Sequence, residues 1–317
     1  MKRINAIALM AVIVASAAAY YYLTLPKELE GTITVSGAWA LYPMMVRWAE
    51  EFTKLHPKVR IDISAGGAGK GMSDALAGMV DLGMVSREVY PAEVEKGAVW
   101  VAVTKDAVVA TVSAHNPALG DISAKGVRRS TFMDIYIYGN ITTWGEAVGR
   151  PDVTDVIDTY TRSDSCGAAD TWAIYLGHRQ EDLKGIGVYG DPGLADAVKN
   201  DRLGIGYNNL NSAYDNATGK PIEGLAIVPI DVNGNGILDV NESFYGTRGD
   251  LMEAIASGAY PSPPARELNL VAKEAFTGLT AEFVRWILTD GQKFAAETGY
   301  IPLSQERCAE QLAKLGG

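Results

Sequence analysis

Three short stretches carry residue types suited to holding a small anion. The first is Arg162-Ser163-Asp164-Ser165-Cys166-Gly167-Ala168, which runs from an apparent strand into an apparent helix. The second is the glycine-rich turn SAGGAGKG, Ser64 to Gly71, and the third is SGAWALYP, Ser36 to Pro43. A guanidinium such as that of Arg162 offers a full positive charge and paired donors. Asp164, two residues on, would orient it. Glycine lets the backbone approach a ligand closely. Each stretch opens a helix, where free N–H groups and the helix dipole favour negative charge. The candidate donors are therefore Ala40, Leu41 and Tyr42, then Ala68 and Gly69, then Ser165, Cys166, Gly167 and Ala168, with Arg162 and Asp164 behind them. Taken singly these signals are weak. A Gly-rich turn is usually turn chemistry, and an Arg near an Asp is usually a surface pair.

A second constellation is DVNGNGILDVNE, residues 231–242. It fits the twelve-residue calcium-loop pattern. Asp231, Asn233 and Asn235 stand at the first, third and fifth positions, and Gly236 supplies the sharp turn. Ile237 would offer its backbone carbonyl, Asp239 stands ninth, and Glu242 would be the bidentate ligand. The expected ion is Ca²⁺ in a structural role, with affinity suited to extracellular concentrations. A strand precedes the loop, and TRGD, Thr247 to Asp250, reads as a capping box opening a helix, so this is not a helix-loop-helix hand. The bland alternative is an Asn/Gly-rich surface turn.

Covalent chemistry is poorly supported. There are two cysteines, Cys166 and Cys308, and three histidines, His56, His115 and His178. No histidine has a recognisable catalytic flank. A Cys166 nucleophile with a pKa lowered by its helix start is the enzyme reading, and it lacks a partner base. Whether the two cysteines pair is open. The formal net charge of -10 argues against nucleic acid, which needs a basic face. It does not argue against one small anion held by local dipoles.

Lys2 and Arg3 precede an apolar run from Ala6 to Leu23. Residues 1–25 read as a signal peptide or an N-terminal membrane anchor. Tyr20 to Tyr22 suit the membrane interface. Either reading places the remainder outside the cytoplasm.

The elements needed to position these residues follow from periodicity. Strands are expected at Gly31 to Ser36, Val59 to Ile63, Asp81 to Ser86, Val101 to Ser113, Val156 to Thr161, Gly204 to Tyr207 and Leu225 to Ile230. Leu41, Met45, Trp48, Phe52 and Leu55 recur at helical spacing, as do Met72, Ala75, Leu76 and Met79. Phe132 to Tyr138 reads equally as helix or strand. The alternation is that of an α/β fold.

These segments in this order resemble the phosphate-binding proteins of ABC-type importers. The landmarks are SGAWALYP, GGAGKGM (Gly66 to Met72), DLGMVSRE (Asp81 to Glu88), YGNITTW (Tyr138 to Trp144), RSDSCGAADTW (Arg162 to Trp172), IGYNNL (Ile205 to Leu210) and DGQKFAAETGYIPL (Asp290 to Leu303). The resemblance implies a periplasmic-binding-protein-like fold of two α/β lobes with the ligand cleft between them. One lobe would combine residues 31–112 with 267–317, and the other would span 113–266. It implies a non-enzymatic, extracytoplasmic solute-binding protein that captures inorganic phosphate for a permease. Other oxyanions (molybdate, tungstate or sulfate) are the near alternative, and a calcium-stapled, membrane-anchored interaction module is the distant one. Tyr136, Tyr138 and Trp144 are docking candidates.

The sequence departs from the family pattern. Ala38, Trp39, Ala40 and Leu41 stand where hydroxyl residues are common, Ala68 replaces a Ser, and Cys166 and Ala168 replace hydroxyls. Ser86, followed by Arg87 and Glu88, stands where some members have Asp. A buried acceptor there rewards the proton that phosphate keeps and sulfate lacks. Asp164 or Glu88 is the expected substitute.

Overall fold

The computed structural model describes residues 28–315. The apolar N-terminal run, whether signal or anchor, lies outside the described residues. Among the described residues no helix is long and apolar enough to cross a membrane.

The described residues form eleven strands: β1 (Gly31–Gly37), β2 (Val59–Ala65), β3 (Leu82–Val85), β4 (Ala98–Ser113), β5 (Val127–Arg128), β6 (Asp158–Arg162), β7 (Ile186–Val188), β8 (Gly204–Asn209), β9 (Leu225–Ile227), β10 (Ile230–Asp231) and β11 (Ala265–Lys273). The main sheet runs β2-β1-β3-β11-β4-β8-β6-β7, with β9 added to β4, while β5 and β10 form a separate ribbon. On one side β1 pairs β2 and β3 in parallel, and on the other β6 pairs β7 and β8 in parallel. The long strand β4 joins them. It pairs antiparallel with β11 up to Ala107 and with β8 from Val108 to Val112.

Two apolar cores result. Ile33, Trp48, Leu82, Val101, Leu270 and Phe283 belong to one, and Val109, Phe132, Trp172, Ile205, Tyr207 and Leu251 to the other. β4 feeds both, with Val101 to Val103 in the first and Ala107 to Ala110 in the second. The chain crosses between the two cores along β4 and again on entering β11.

The helices form as their patterns dictate. Tyr42–Leu55 buries Met44, Met45, Trp48, Ala49 and Phe52, with Pro43 in its first turn. Pro is suited there because its missing N–H would be unpaired in any case. Gly278–Leu288 buries Phe283, Val284, Ile287 and Leu288. At Thr247 the side chain accepts from the Asp250 N–H at 3.1 Å, opening the helix Arg248–Ser257.

Three expectations are corrected here, and one left open between helix and strand is decided. The helix Ala68–Leu76 ends before Met79, which is exposed. Residues 129–138 are helical throughout, passing from an α-turn into a π-turn that Gly139 ends. The expected strand over Leu225 to Ile230 is two strands, because Pro229 lacks the N–H that a continuous ladder needs. Tyr136 and Trp144 are core residues, so of the three docking candidates only Tyr138 is exposed.

Candidate functional site

The parallel strands of both lobes point their carboxyl ends at the seam between the lobes. β1 and β3 end there at Gly37 and Val85, β6 at Arg162, β7 at Val188 and β8 at Asn209. Crevices of this kind are where open α/β sheets bind ligands. A cavity at the seam is lined by Trp39, Ala40, Gly67, Ala68 and Ser86 from one lobe and Cys166, Gly167, Ala168, Asp191 and Asn209 from the other. It holds about 140 Å³ of space between atoms and is too tight, with the lobes in contact, to admit a sphere the size of a water molecule.

The lobes touch through backbone. The Gly69 N–H donates to the Ser165 carbonyl at 3.4 Å. A Cβ added to Gly167 would fall inside the contact shells of Ser86 Oγ and the Ser86 carbonyl. Gly167 is thus required by close approach, whatever its helix-start role.

The helix Gly167–Leu176 begins at this seam, so the first-turn N–H groups of Gly167 and Ala168 face the cavity wall. Cys166 caps it, its Sγ accepting from the Ala169 N–H at 3.4 Å. Trp39 contributes a different donor: its Nε1–H is buried without a hydrogen-bond partner. A buried donor left unpaired is costly unless something accepts from it.

Arg162 stands behind this wall. Its Nε and Nη2 donate to Asp164 at 2.8 and 2.6 Å, and Nη1 donates to Asp191. The side chain is fully buried. Burial opposes its charge, but the Asp191 and Asp164 carboxylates outweigh that and hold it firmly protonated. Asp191 also accepts from Asn209 Nδ2. Burial raises the Asp191 pKa against the pull of Arg162 and Arg266. Arg266 reaches the same cluster, donating to the Gly167 carbonyl, Thr171 Oγ1 and Asn209 Oδ1.

Of the residues expected from sequence, Ala40, Ala68, Ser86, Cys166, Gly167 and Ala168 line the cavity. Gly69 and Ser165 meet at its edge. Leu41 and Tyr42 donate their N–H groups to Ala38 and Trp39 carbonyls within a turn, at 3.1 and 3.3 Å. Glu88 faces a separate cavity beside Arg87 and Arg266. The cysteines are both free and sit in different cores. Burial pushes the Cys166 thiol up to about 12, against the pull of Arg162, so the lowered pKa expected at a helix start is reversed. The helix start still favours the thiolate, but the cost of desolvating the enclosed sulfur outweighs it.

Asp191 and Asn209 were not anticipated. Asp191 follows Gly190 and precedes Pro192, an ordinary helix opening, so no local signal distinguishes it. Asn209 lies within IGYNNL, where a strand reading absorbs it.

The sequence model of a PBP superfamily domain matches residues 26–291. The chain belongs to the PBP superfamily. As a PBP-superfamily chain it has relatives of nearly its own length. It is 25% identical over 281 residues to the phosphate-binding protein PstS of Bacillus subtilis, covering 88% of this chain and 83% of that one. It is 23% identical over 348 residues to the phosphate-binding protein PstS of Methanocaldococcus jannaschii, covering 92% and 86%. Its fold matches a candidate phosphate ABC transporter substrate-binding protein from Clostridium perfringens, solved with bound phosphate, with TM-score 0.70 at 24% identity over 86% of this chain and 100% of that one. An ABC-type phosphate transport receptor from Vibrio cholerae matches with TM-score 0.62 at 19% identity, over 86% and 100%.

The calcium-type loop lies away from this site, between β10 and the helix Arg248–Ser257. Asp231 and Glu242 are both buried. Asp231 accepts from the Gly234, Asn235 and Gly236 N–H groups at 2.7, 3.1 and 2.8 Å and pairs with Arg128 at 3.2 Å. Glu242 reaches back to the Val232 and Asn233 N–H groups at 3.1 and 3.2 Å. Among the described residues no three Asp, Glu, His or Cys side chains converge as a metal-binding group. The remaining oxygens of a calcium shell would come from Asn233, Asn235 and the Ile237 carbonyl.

Proposed function

We propose that this protein is an extracytoplasmic solute-binding protein that captures inorganic phosphate and hands it to the permease of an ABC importer. The observation that carries the reading is the seam cavity. Its wall combines a helix start, the unpartnered Trp39 Nε1–H and the Ser86 hydroxyl, with the buried Arg162 cluster behind it. Capture by lobe closure explains why both lobes contribute. The PstS names of the relatives in Bacillus subtilis and Methanocaldococcus jannaschii favour phosphate over other oxyanions.

Non-enzymatic function fits the same geometry. The enzyme reading needs a nucleophilic thiolate, and Cys166 is a buried cap with a raised pKa. The unpartnered Trp39 Nε1–H would take the place of the hydroxyls that are common in the family's first loop. The apolar run at residues 6–23 would export the chain, as a signal peptide that is removed or as an anchor that stays in the membrane. Ca²⁺ at residues 231–242 would staple the second lobe, replacing the Asn233 and Asn235 amide bonds to Asp239.

The test is titration calorimetry with phosphate, sulfate, molybdate and tungstate on protein stripped of ligand by unfolding and refolding. Tight one-to-one phosphate binding with weak sulfate binding is expected. Preference for a fully ionised oxyanion would change the substrate, and binding of none would overturn the reading.

A further inference from the structure

We infer that the protein carries a second ligand site, beside the crossing strands, for a small primary-ammonium compound that also bears an oxygen acceptor. Occupation of this site favours the arrangement in which the lobes touch. That coupling, though not the site itself, rests on the phosphate-capture reading above.

The site is a cavity with about 470 Å³ of space that water-sized spheres can enter, within the range of small-molecule pockets. Arg87, Glu88 and Trp100 line it from one lobe, Asp170 and Thr171 from the helix Gly167–Leu176 of the other, and Arg266 from the start of β11. It shares no lining residue with the seam crevice.

Most of the charge around it is already matched. Arg87 donates to the two Glu93 carboxylate oxygens at 2.9 and 2.7 Å. Arg307 does the same to Glu267, which also lines the cavity, at 2.9 and 2.7 Å. Arg266 stands 3.5 Å from Asp106. Two carboxylates of the wall, Glu88 and Asp170, have no ion-pair partner among the described residues. Glu88 is exposed. Asp170 is nine-tenths buried; its Oδ1 accepts from the Tyr90 hydroxyl at 2.7 Å, and its Oδ2 has no hydrogen-bond partner. Arg266 adds the complementary orphan, a buried Nε–H that donates to nothing. Buried polar atoms left unpaired are costly, and here a donor and an acceptor both stand in one cavity wall.

A primary ammonium answers the acceptor. It brings one positive charge and N–H donors, for Asp170 Oδ2 and for Glu88. An oxygen on the same ligand answers the Arg266 Nε–H, so amino alcohols and amino acids are the fitting class. Val89, Trp100 and Ile174 line the same cavity and suit the ligand's carbon atoms. A bare divalent ion would want more oxygens than two carboxylates supply, and no three metal-binding side chains converge among the described residues.

The helix Gly167–Leu176 links this cavity to the seam. Asp170 lies in its first turn, and Gly167 at its start packs on Ser86. Arg266 grips the same turn, donating to the Gly167 carbonyl and to Thr171 Oγ1. The Tyr90–Asp170 bond already joins one lobe to the other. A ligand spanning Glu88 and Asp170 adds a contact that exists only with the lobes together, so it shifts the population toward that state. By linkage, phosphate and the ammonium ligand each tighten the other's binding.

The experiment is titration calorimetry of the refolded full chain, in chelator, with ethanolamine, glycine and tetramethylammonium. Phosphate titrations with and without saturating ethanolamine follow. Ethanolamine or glycine should bind one to one and at least about tenfold tighter than tetramethylammonium, which has the charge without the N–H donors. Asp170→Asn should weaken that binding by at least about tenfold, and Glu88→Gln by about threefold. Bound ethanolamine should raise phosphate affinity by about fivefold or more. No binding of either probe, equal binding of tetramethylammonium, or undiminished binding in a folded Asp170→Asn overturns the site. Should Asp170→Asn fail to fold, Glu88→Gln at its exposed position decides instead, and undiminished binding there overturns the site. Phosphate affinity that ignores ethanolamine overturns the coupling. Binding of ethanolamine by a chain that takes no oxyanion supports the site while overturning phosphate capture and the coupling with it.

Discussion

Gly167 and Ser86 meet closely across the seam between the two lobes. Gly167 opens a helix of one lobe, and Ser86 follows β3 of the other. A methyl group on Gly167 would collide with the Ser86 carbonyl, which is backbone and cannot swing away. Gly167→Ala should therefore hold the lobes apart without disturbing either core. We expect phosphate affinity to fall by at least about tenfold, or about 1.4 kcal/mol, while the ligand-free melting temperature stays unchanged. Calorimetry beside a thermal melt checks both. Unaltered affinity would mean that the ligand is held without full closure.

At the scale of elements, the loop at residues 231–242 is closed by its own carboxylates. Glu242 accepts from the Val232, Asn233 and Asp239 N–H groups, so it works as a clasp even without an ion. Glu242→Gln should weaken that clasp by about 1 kcal/mol in chelator, since a neutral amide accepts less strongly than a carboxylate. With millimolar calcium the loss should be larger, because ion binding stabilises only the folded loop. Melting curves in calcium and in chelator separate the two. Equal losses would mean that the loop is a turn held by hydrogen bonds alone.

The whole molecule depends on the crossing strands, and Asp106 sits in one of them between the two cores. It is buried, with Arg266 at 3.5 Å. Burial pushes its carboxyl up from 3.8 to about 6, against the pull of Arg266. The folded state thus holds this proton where the unfolded state has released it. Stability should fall as pH rises from about 4 to about 6 and stay level above that, a loss of up to about 3 kcal/mol. Asp106→Asn should raise the melting temperature at pH 7 and leave it unchanged at pH 4. A gain at both pH values would assign the effect to packing rather than to charge.

The sequence alone determined the strands and helices that carry the site, because hydrophobic spacing and Gly/Pro punctuation are local. It marked the helix start at Gly167, the turn at Gly67 and the arginine at position 162, since these residue types announce their chemistry. It also marked the calcium pattern, whose spacing is contiguous. Tertiary structure decided the rest. Asp191 opens the helix that follows β7 and Asn209 ends β8, and only sheet order brings those chain segments beside Arg162. Cys166 illustrates the same limit from the other side. A helix start lowers a thiol pKa and burial raises it, and no local pattern reports how deeply a cap is enclosed. Burial and charge pairing are properties of residues distant in sequence. That is why the anion-holding frame was legible residue by residue, while the Asp191 and Asn209 partners behind it became visible only in the tertiary structure.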